Sequence, residues 1–216
     1  MKFLKPPLAI LAAFLLASPL HAQLTGEYTI KKITPELVNS PRISAPGYNK
    51  QVQGRQLQWL EIDVELERKE VDKTAPKFAE EATVNFFILL NNAAFNEDKL
   101  PTLLTGSVSV VDIPYEKNLH AAAFVSPQTL ARLFGGKPPI NLNTAVTDIG
   151  ATISTSKGLE DLFSFKGTVN KKEGRGWWDD TAKMSVLPGR IVDKSETPFA
   201  HLAWDYYLPL KPKGGG

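Results

Sequence analysis

From Leu60 to Glu67 the chain alternates without a break: Leu60, Ile62, Val64 and Leu66 fall on one side, Glu61, Asp63, Glu65 and Glu67 on the other. A period of two over eight residues predicts a strand with a packed face and an acidic face in water, as in an antiparallel sheet. Ala82 to Asn91 is apolar on both sides, with Val84, Phe86, Ile88 and Leu90 opposite Phe87 and Leu89, which predicts a central strand covered on both faces. Gly26 to Thr34 reads as a modest strand with Tyr28 and Ile30 on one face. Pro35, Asn39, Pro41, Pro46, Gly47 and Asn49 then predict a long loop or irregular edge.

Beyond Leu104, apolar positions run through Val108 and Val110 and then shift phase to Val111 and Ile113, which predicts a β-bulge near Val110 or a strand buried on both sides. His120 to Val125 is a further strand. Ser126 and Pro127 suit the N-cap and first position of a short helix; Leu130, Leu133 and Phe134 share its apolar face, and Gly135-Gly136 ends it. Ala145 to Ile153 returns to strand spacing, and Leu159 to Val169 fits a helix or a strand. Met184–Leu187, Arg190–Val192 and Phe199–Leu208 are read as strands, punctuated by Pro188-Gly189 and Pro198. Many strands and one short helix predict an all-β chain folded as an immunoglobulin-like antiparallel β-sandwich, in architecture only, since Cys is absent.

The first 22 residues follow a different logic. Lys2 and Lys5 precede an apolar run from Leu8 to Ala17, and Ser18-Pro19-Leu20-His21-Ala22 breaks it with a small residue at the end. That is the three-part layout of a secretory signal, and the run is too short for a stable membrane span. The expected organisation is a signal peptide over 1–22, a sandwich domain over 23–210 and a flexible tail over 211–216. Without Lys2 and Lys5, basic and acidic residues balance at 23 each. Such a neutral surface does not fit nucleic acid or an anionic membrane as partner. The lack of Cys excludes disulfides, thiolate metal sites, a cysteine nucleophile and a lipobox anchor. No second apolar segment is long enough to span a membrane, so the chain is expected in the periplasm, at the outer-membrane surface or outside the cell.

Candidate chemistry is sparse. After the signal only His120 and His201 remain, and no H-x-H or H-x-x-x-H spacing supports a metal site. On a strand, His201 and Asp205 would lie roughly 13 Å apart, too far to hydrogen-bond. Glu160-Asp161 and Asp179-Asp180 read as turn or helix-start acids and not as a glycosidase pair, which requires two carboxyls held across a sugar. Nucleophile-elbow, phosphate-loop, dinucleotide and calcium-loop motifs are missing, so neither catalysis nor a cofactor is expected. Trp177 and Trp178, beside Gly174-Arg175-Gly176, are the candidate contact for a partner or glycan, against the plainer reading that they close an end of the sandwich. Trp204, on one face of the last strand with Ala200, Leu202 and Tyr206, reads as core.

The ending Thr197-Pro198-Phe199-Ala200-His201-Leu202-Ala203-Trp204-Asp205-Tyr206-Tyr207, with Leu187-Pro188-Gly189 and Lys194-Ser195 before it, has the pattern T-P-F-A-x-L-x-W-D-x-Y. It resembles the ending of a family of small exported proteins of Verrucomicrobia and related bacteria, among them secreted immunoglobulin-like proteins encoded beside type IV-like pilus components. The resemblance implies an extracellular or outer-membrane-associated protein that takes part in pilus assembly, adhesion or host contact. Its implied partners are a pilus or outer-membrane protein, or a host glycan or surface protein. It carries over no active-site residue. The alternatives are a carbohydrate-binding module using Trp177 and Trp178, or a hydrolase whose acids come from distant loops. Cleavage after Ala22 is expected to leave Gln23 at the N-terminus, and sequencing the exported protein from its N-terminus checks this.

Overall fold

The computed structural model describes residues 26–41, 57–71, 73–74, 76–139 and 141–213. The expected signal, most of the proline-rich stretch after Asn39 and the terminal glycines lie outside the described residues. Eleven strands and two short helices are assigned among them: β1 (Tyr28–Asn39), β2 (Gln58–Arg68), β3 (Phe78–Leu90), β4 (Thr102–Pro114), β5 (Leu119–Val125), α1 (Pro127–Leu133), α2 (Leu142–Ala145), β6 (Val146–Thr155), β7 (Gly158–Ser164), β8 (Val169–Asn170), β9 (Arg175–Gly176), β10 (Ser185–Pro188) and β11 (Ile191–Asp193). One sheet has the order β1-β2-β5-β11 and the other β10-β4-β3-β6-β7, with β8-β9 as a separate ribbon. All pairs are antiparallel except β10 with β4. The all-β sandwich expected from the alternation is the fold found.

The core lies between the two sheets. Leu60, Ile62, Val64 and Leu66 of β2 meet Val84, Phe86, Ile88 and Leu90 of β3, and all eight are at most 1% exposed. Tyr28 and Ile30 of β1 point inward as their spacing predicts. A bulge between Ile30 and Lys32 then resets the phase, so Ile33 and Pro35 also face inward. β1 therefore runs five residues past Thr34, through the proline expected to start a loop. Its position explains this. β1 is an edge strand, where a missing N–H leaves no ladder bond unmade.

The phase slip expected near Val110 sits two residues later. Asp112 takes a left-handed backbone (φ 52°), and Val110 and Ile113, on either side of it, both reach the core. β3 slips opposite it, turning both Ala82 and Ala79 inward, so the β3–β4 register runs on unshifted from Phe78↔Pro114 to Leu89↔Leu103. α1 starts as expected: the Ser126 hydroxyl accepts from the Thr129 N–H at 3.2 Å, and Gly135 and Gly136 end the helix with positive φ. α2 adds one helical turn that the alternation did not suggest, and Gly158–Ser164 is a strand paired with β6.

One side of the sandwich is closed by chain that passes from sheet to sheet. β10 pairs with β4; Pro188-Gly189 turns the chain, with Gly189 at φ 71°, and β11 then pairs with β5 of the other sheet. Gly106 of β4 is needed at that crossing, because a Cβ there would stand 2.6 Å from the Cβ of Ile191. The last residues cross the same gap. Leu208 N–H donates to His120 of β5, Val111 N–H donates to Pro209, and Lys211 N–H donates to Ser109 of β4.

Ile62 is fully buried and Glu65 half-buried. Ile62→Ala should therefore cost roughly 2–5 kcal/mol, and Glu65→Ala no more than about 0.5 kcal/mol. Urea denaturation of the two variants measures the difference.

Candidate functional site

Both sheets also have covered outer faces, and the aromatic motifs supply the covers. On the larger sheet, Leu103, Leu162 and Trp178 form a second buried cluster, with Phe87, Leu89, Leu159, Val169, Trp177 and Met184 around it. Trp178 is 5% exposed and stacks flat on Phe87, centroids 4.7 Å apart. It fits because Gly150 and Gly176 have no side chain: a Cβ on either would lie 2.1 or 2.3 Å from the indole. Trp177 is half-buried, lies at 78° to Trp178, and donates its indole N–H to Ser164 Oγ at 3.0 Å. Ser164 in turn donates to the buried Asp148 carboxylate, which also accepts the backbone N–H groups of Ile149, Lys166 and Gly167. Of the two readings of the tandem indoles, the geometry matches the closing role more nearly than a flat platform. Trp178 is core and Trp177 a tethered lid, and the two rings are perpendicular, not coplanar.

The smaller sheet is covered by the C-terminal ending. The strand expected over Phe199–Leu208 is not formed; residues 197–207 make turns that lie across the outer face of β2 and β5. Local chemistry dictates this. The Thr197 hydroxyl donates to the Lys194 carbonyl at 2.7 Å and accepts from the Phe199 N–H at 3.1 Å, and Ala203 sits at φ 49°. Side-chain bonding of this kind gives the backbone an alternative to a ladder. Phe199 stacks on Phe124 at 5.3 Å and meets Trp59 edge-on at 6.1 Å, which explains how Phe124, on the outward side of β5, is 1% exposed. We call residues 197–207 the clasp.

The acidic side of β2, read from the sequence as facing water, is where the clasp docks. Tyr206 stacks on His120 at 4.1 Å and donates its hydroxyl to Asp63 Oδ2 at 3.1 Å, while His120 Nδ1 lies 3.0 Å from both Asp63 oxygens. Tyr207 donates its hydroxyl to Glu61. Burial pushes the Glu61 carboxyl up, with Asp63 and Glu36 adding to the rise and the Tyr207 hydroxyl opposing it. Burial and the Asp63 carboxylate push the Tyr206 phenol up to about 12. The Tyr207 phenol is pushed up first by burial and then by Glu61. Both tyrosines are therefore neutral donors at any physiological pH. Lys194, 8% exposed, lies under the rings of Trp204 (5.8 Å) and Tyr207 (5.2 Å); burial pushes its ammonium down and Glu61 partly offsets this. Trp204, expected in the core, is 69% exposed.

The remaining candidates are brought together with structural partners. His201 and Asp205 are exposed turn residues and share no strand. Glu160 and Asp161 lie on β7: Glu160 accepts from Thr155 Oγ1, while Asp161 accepts the Ile30 N–H at the β1 bulge and pairs with Lys171. Asp179 accepts the Gly176 N–H at 2.8 Å. At one end of the sandwich, a hollow of about 580 Å³ is lined by Glu27, Tyr28, Arg68, Thr83, Ser154 and Lys157 among others. Its cations are committed: Arg68 and Lys157 both pair with Glu27, and Arg68 also donates to the Ile113 carbonyl. Among the described residues, no group of three or more His, Asp or Glu is placed to hold a metal ion. No described helix is long and apolar enough to cross a membrane, which says nothing about spanning by strands. The Asp63–His120–Tyr206 group was not legible in advance, because its members are 57 and 143 residues apart.

Fold and clasp together define a β-sandwich protein whose outer faces are sealed by its own aromatic segments. Residues 20–213 match one family model, and the chain belongs to that family. A crystal structure of a protein from Akkermansia muciniphila superposes with a TM-score of 0.68 at 17% identity, covering 87% of this chain and 94% of that one. No curated protein matches by sequence.

Tyr207→Phe removes the donor from Glu61, whose carboxyl then titrates still higher. The cost should be about 1–2 kcal/mol at pH 7.5 and smaller near pH 4.5, because protonation of the raised carboxyl removes the charge that the hydroxyl bonds. In wild type the raised carboxyl works in the same sense: its contribution falls as pH rises above the unfolded value. Urea titrations of both proteins at the two pH values, with Glu61→Gln/Tyr207→Phe as the double variant, measure the coupling.

Proposed function

We propose that the chain is an exported, non-enzymatic binding or assembly protein with an immunoglobulin-like sandwich, an accessory of a type IV-like pilus or of adhesion and host contact. The observation that carries this reading is the family match over residues 20–213, because homology to a pilus-associated Akkermansia protein fits such a role. The fold shared with the Akkermansia muciniphila protein is consistent with it. The proposed export rests on the basic start, apolar run and Ala22, with residues 23–210 as the working domain.

The histidines and paired acids lend support to a non-enzymatic role, since those described serve the fold or lie apart on exposed turns. The clasp supports binding. It is rigidly seated on β2 and β5, yet it presents Leu202, Trp204 and Tyr206 at 46%, 69% and 50% exposure. Tryptophan and tyrosine held on a firm base are the residues that anchor interfaces. The partner, on this reading, is a pilus or outer-membrane protein, or a host glycan or surface protein. A carbohydrate-binding role is favoured at this surface over the Trp177-Trp178 pair, of which Trp178 is buried and Trp177 half-buried.

Native protein pulled down from the cell envelope should bring pilus or outer-membrane components with it, and wild type should not hydrolyse glycans or peptides. Turnover by pure protein, or capture of no envelope component, would refute the proposal.

A further inference from the structure

Between residues 202 and 206 the clasp stands three large apolar side chains in water: Leu202 at 46% exposure, Trp204 at 69% and Tyr206 at 50%. Lys194 lies against one face of the Trp204 indole at 5.8 Å, and most of the ring stays open to solvent. The group is held still by its own turn. Leu202 N–H donates to Phe199 at 2.9 Å and Tyr206 N–H to Ala203 at 3.3 Å, while Ala203 takes a left-handed φ of 49°. Tyr206 is also stacked on His120 and bonded to Asp63. Aromatic side chains fixed in this way lose little freedom when a partner lands on them, which is what an interface anchor requires.

The surroundings of this crown are acidic. On the outer face of the smaller sheet, Glu36 of β1 stands directly opposite Glu61 of β2, with Asp63 and Glu65 next along β2, and Asp205 is exposed on the clasp itself. Like charges in register repel each other, and Asp63 and Glu36 add to the burial that raises the Glu61 carboxyl. The cations on this face are fewer, and they are engaged. Lys194 is buried beneath Trp204 and Tyr207 with the Glu61 carboxylate acting on it, Lys32 stands opposite Glu65, and Lys213 pairs with Asp193 and Glu196. His120 is bonded to Asp63, and His201 is exposed beside Trp204. Among the described residues, Glu36 and Asp205 have no ion pair and no side-chain hydrogen bond.

We propose that the clasp is the docking site for a segment of another envelope protein, one that carries lysine or arginine beside apolar side chains. The apolar groups of the segment pack on Trp204 and Leu202, and its cations answer the acidic surround and lie on the open part of the indole. The charge of this face attracts such a segment and repels an acidic one or an anionic membrane. Leu202 decides between protein and sugar. It offers a sugar neither a flat ring nor a hydrogen bond, whereas to a protein side chain it is an ordinary apolar contact. The inference rests on reading the clasp as a binding surface and names the chemistry of what docks there.

The chain from Gln23 onward, with photoreactive p-benzoylphenylalanine in place of Leu202, is irradiated together with the envelope of the producing cells, and the joined peptides are sequenced by mass spectrometry. The segment they identify should carry Lys or Arg. A synthetic peptide of that sequence should bind the unmodified chain saturably, and less tightly as salt rises. Trp204→Ala, at an exposed position that should leave circular dichroism unchanged, should weaken the peptide by about tenfold or more. Glu36→Gln/Asp205→Asn should weaken it several-fold and flatten the salt dependence, and so should glutamine in place of the peptide's own cations. If Trp204→Ala fails to fold, the double variant decides. A joined segment without Lys or Arg, a joined glycan, a second copy of this chain or no joined peptide would overturn the proposal, as would binding that Trp204→Ala leaves unchanged. A basic segment from an envelope protein outside pili and adhesion would leave this site standing and sink the pilus-accessory reading. Pilus components captured equally by wild type and Trp204→Ala would do the opposite.

Discussion

Each sheet of this sandwich carries too much apolar surface on its outer side to be left in water, and covering those two faces accounts for most of what is irregular in the chain. On one side Phe87, Leu89, Leu103 and Leu162 need a lid; on the other, Phe124 and Trp59 do. The first lid is the short β8-β9 ribbon running into a single 3-10 turn at Trp177–Asp179, and the second is a series of turns. A flat, twisted surface of mixed aromatic and charged groups is best matched by turns whose side chains point where they are needed. The covering segments are consequently rich in residues that bond their own backbone, such as Thr197, Asp193 and Asp179. The space they fill is set by glycines at Gly150 and Gly176.

The two lids differ in chemistry. The one over the larger sheet is dry: an indole between two glycines, stacked on Phe87, with a single hydrogen bond leading through Ser164 to Asp148. The clasp over the smaller sheet is amphipathic. Phe199 supplies the packing, while Tyr206 and Tyr207 satisfy carboxylates that would otherwise lose water without recompense. That division explains why one lid ends flush with the surface and the other leaves Trp204 standing above it.

Period-two patterning made the central layers legible. β2 and β3 stand where their alternation placed them, and Ser126-Pro127 opened a helix because an N-cap acts through its nearest neighbours. The same pattern misled at Phe199–Leu208, where Ala200, Leu202, Trp204 and Tyr206 alternate but Thr197 and Ala203 turn the chain, so Trp204 went outside instead of in. Pro35 misled in the other direction, because its tolerance depends on β1 being an edge, a property of the whole sheet. The acidic row of β2 looked solvated for a related reason. Its partners are tyrosines more than 140 residues away, and no local pattern reveals a cover that arrives from that distance.

The gap between β4 and β5 is bridged twice, by residues 185–193 and again by 208–211, and both bridges come from late in the chain. Synthesis proceeds from the other end. For as long as those residues have yet to emerge, β4 and β5 present open rows of backbone N–H and C=O groups, the kind of edge that pairs with any strand nearby. The contact between Val110 and Leu210 must also wait for a loop of about a hundred residues to close, and such closures are slow. Time, then, is where this architecture is exposed. A newly made chain is vulnerable until its last segment lands, and a chaperone that holds a bare edge during that interval would be guarding the spot that the finished molecule guards for itself.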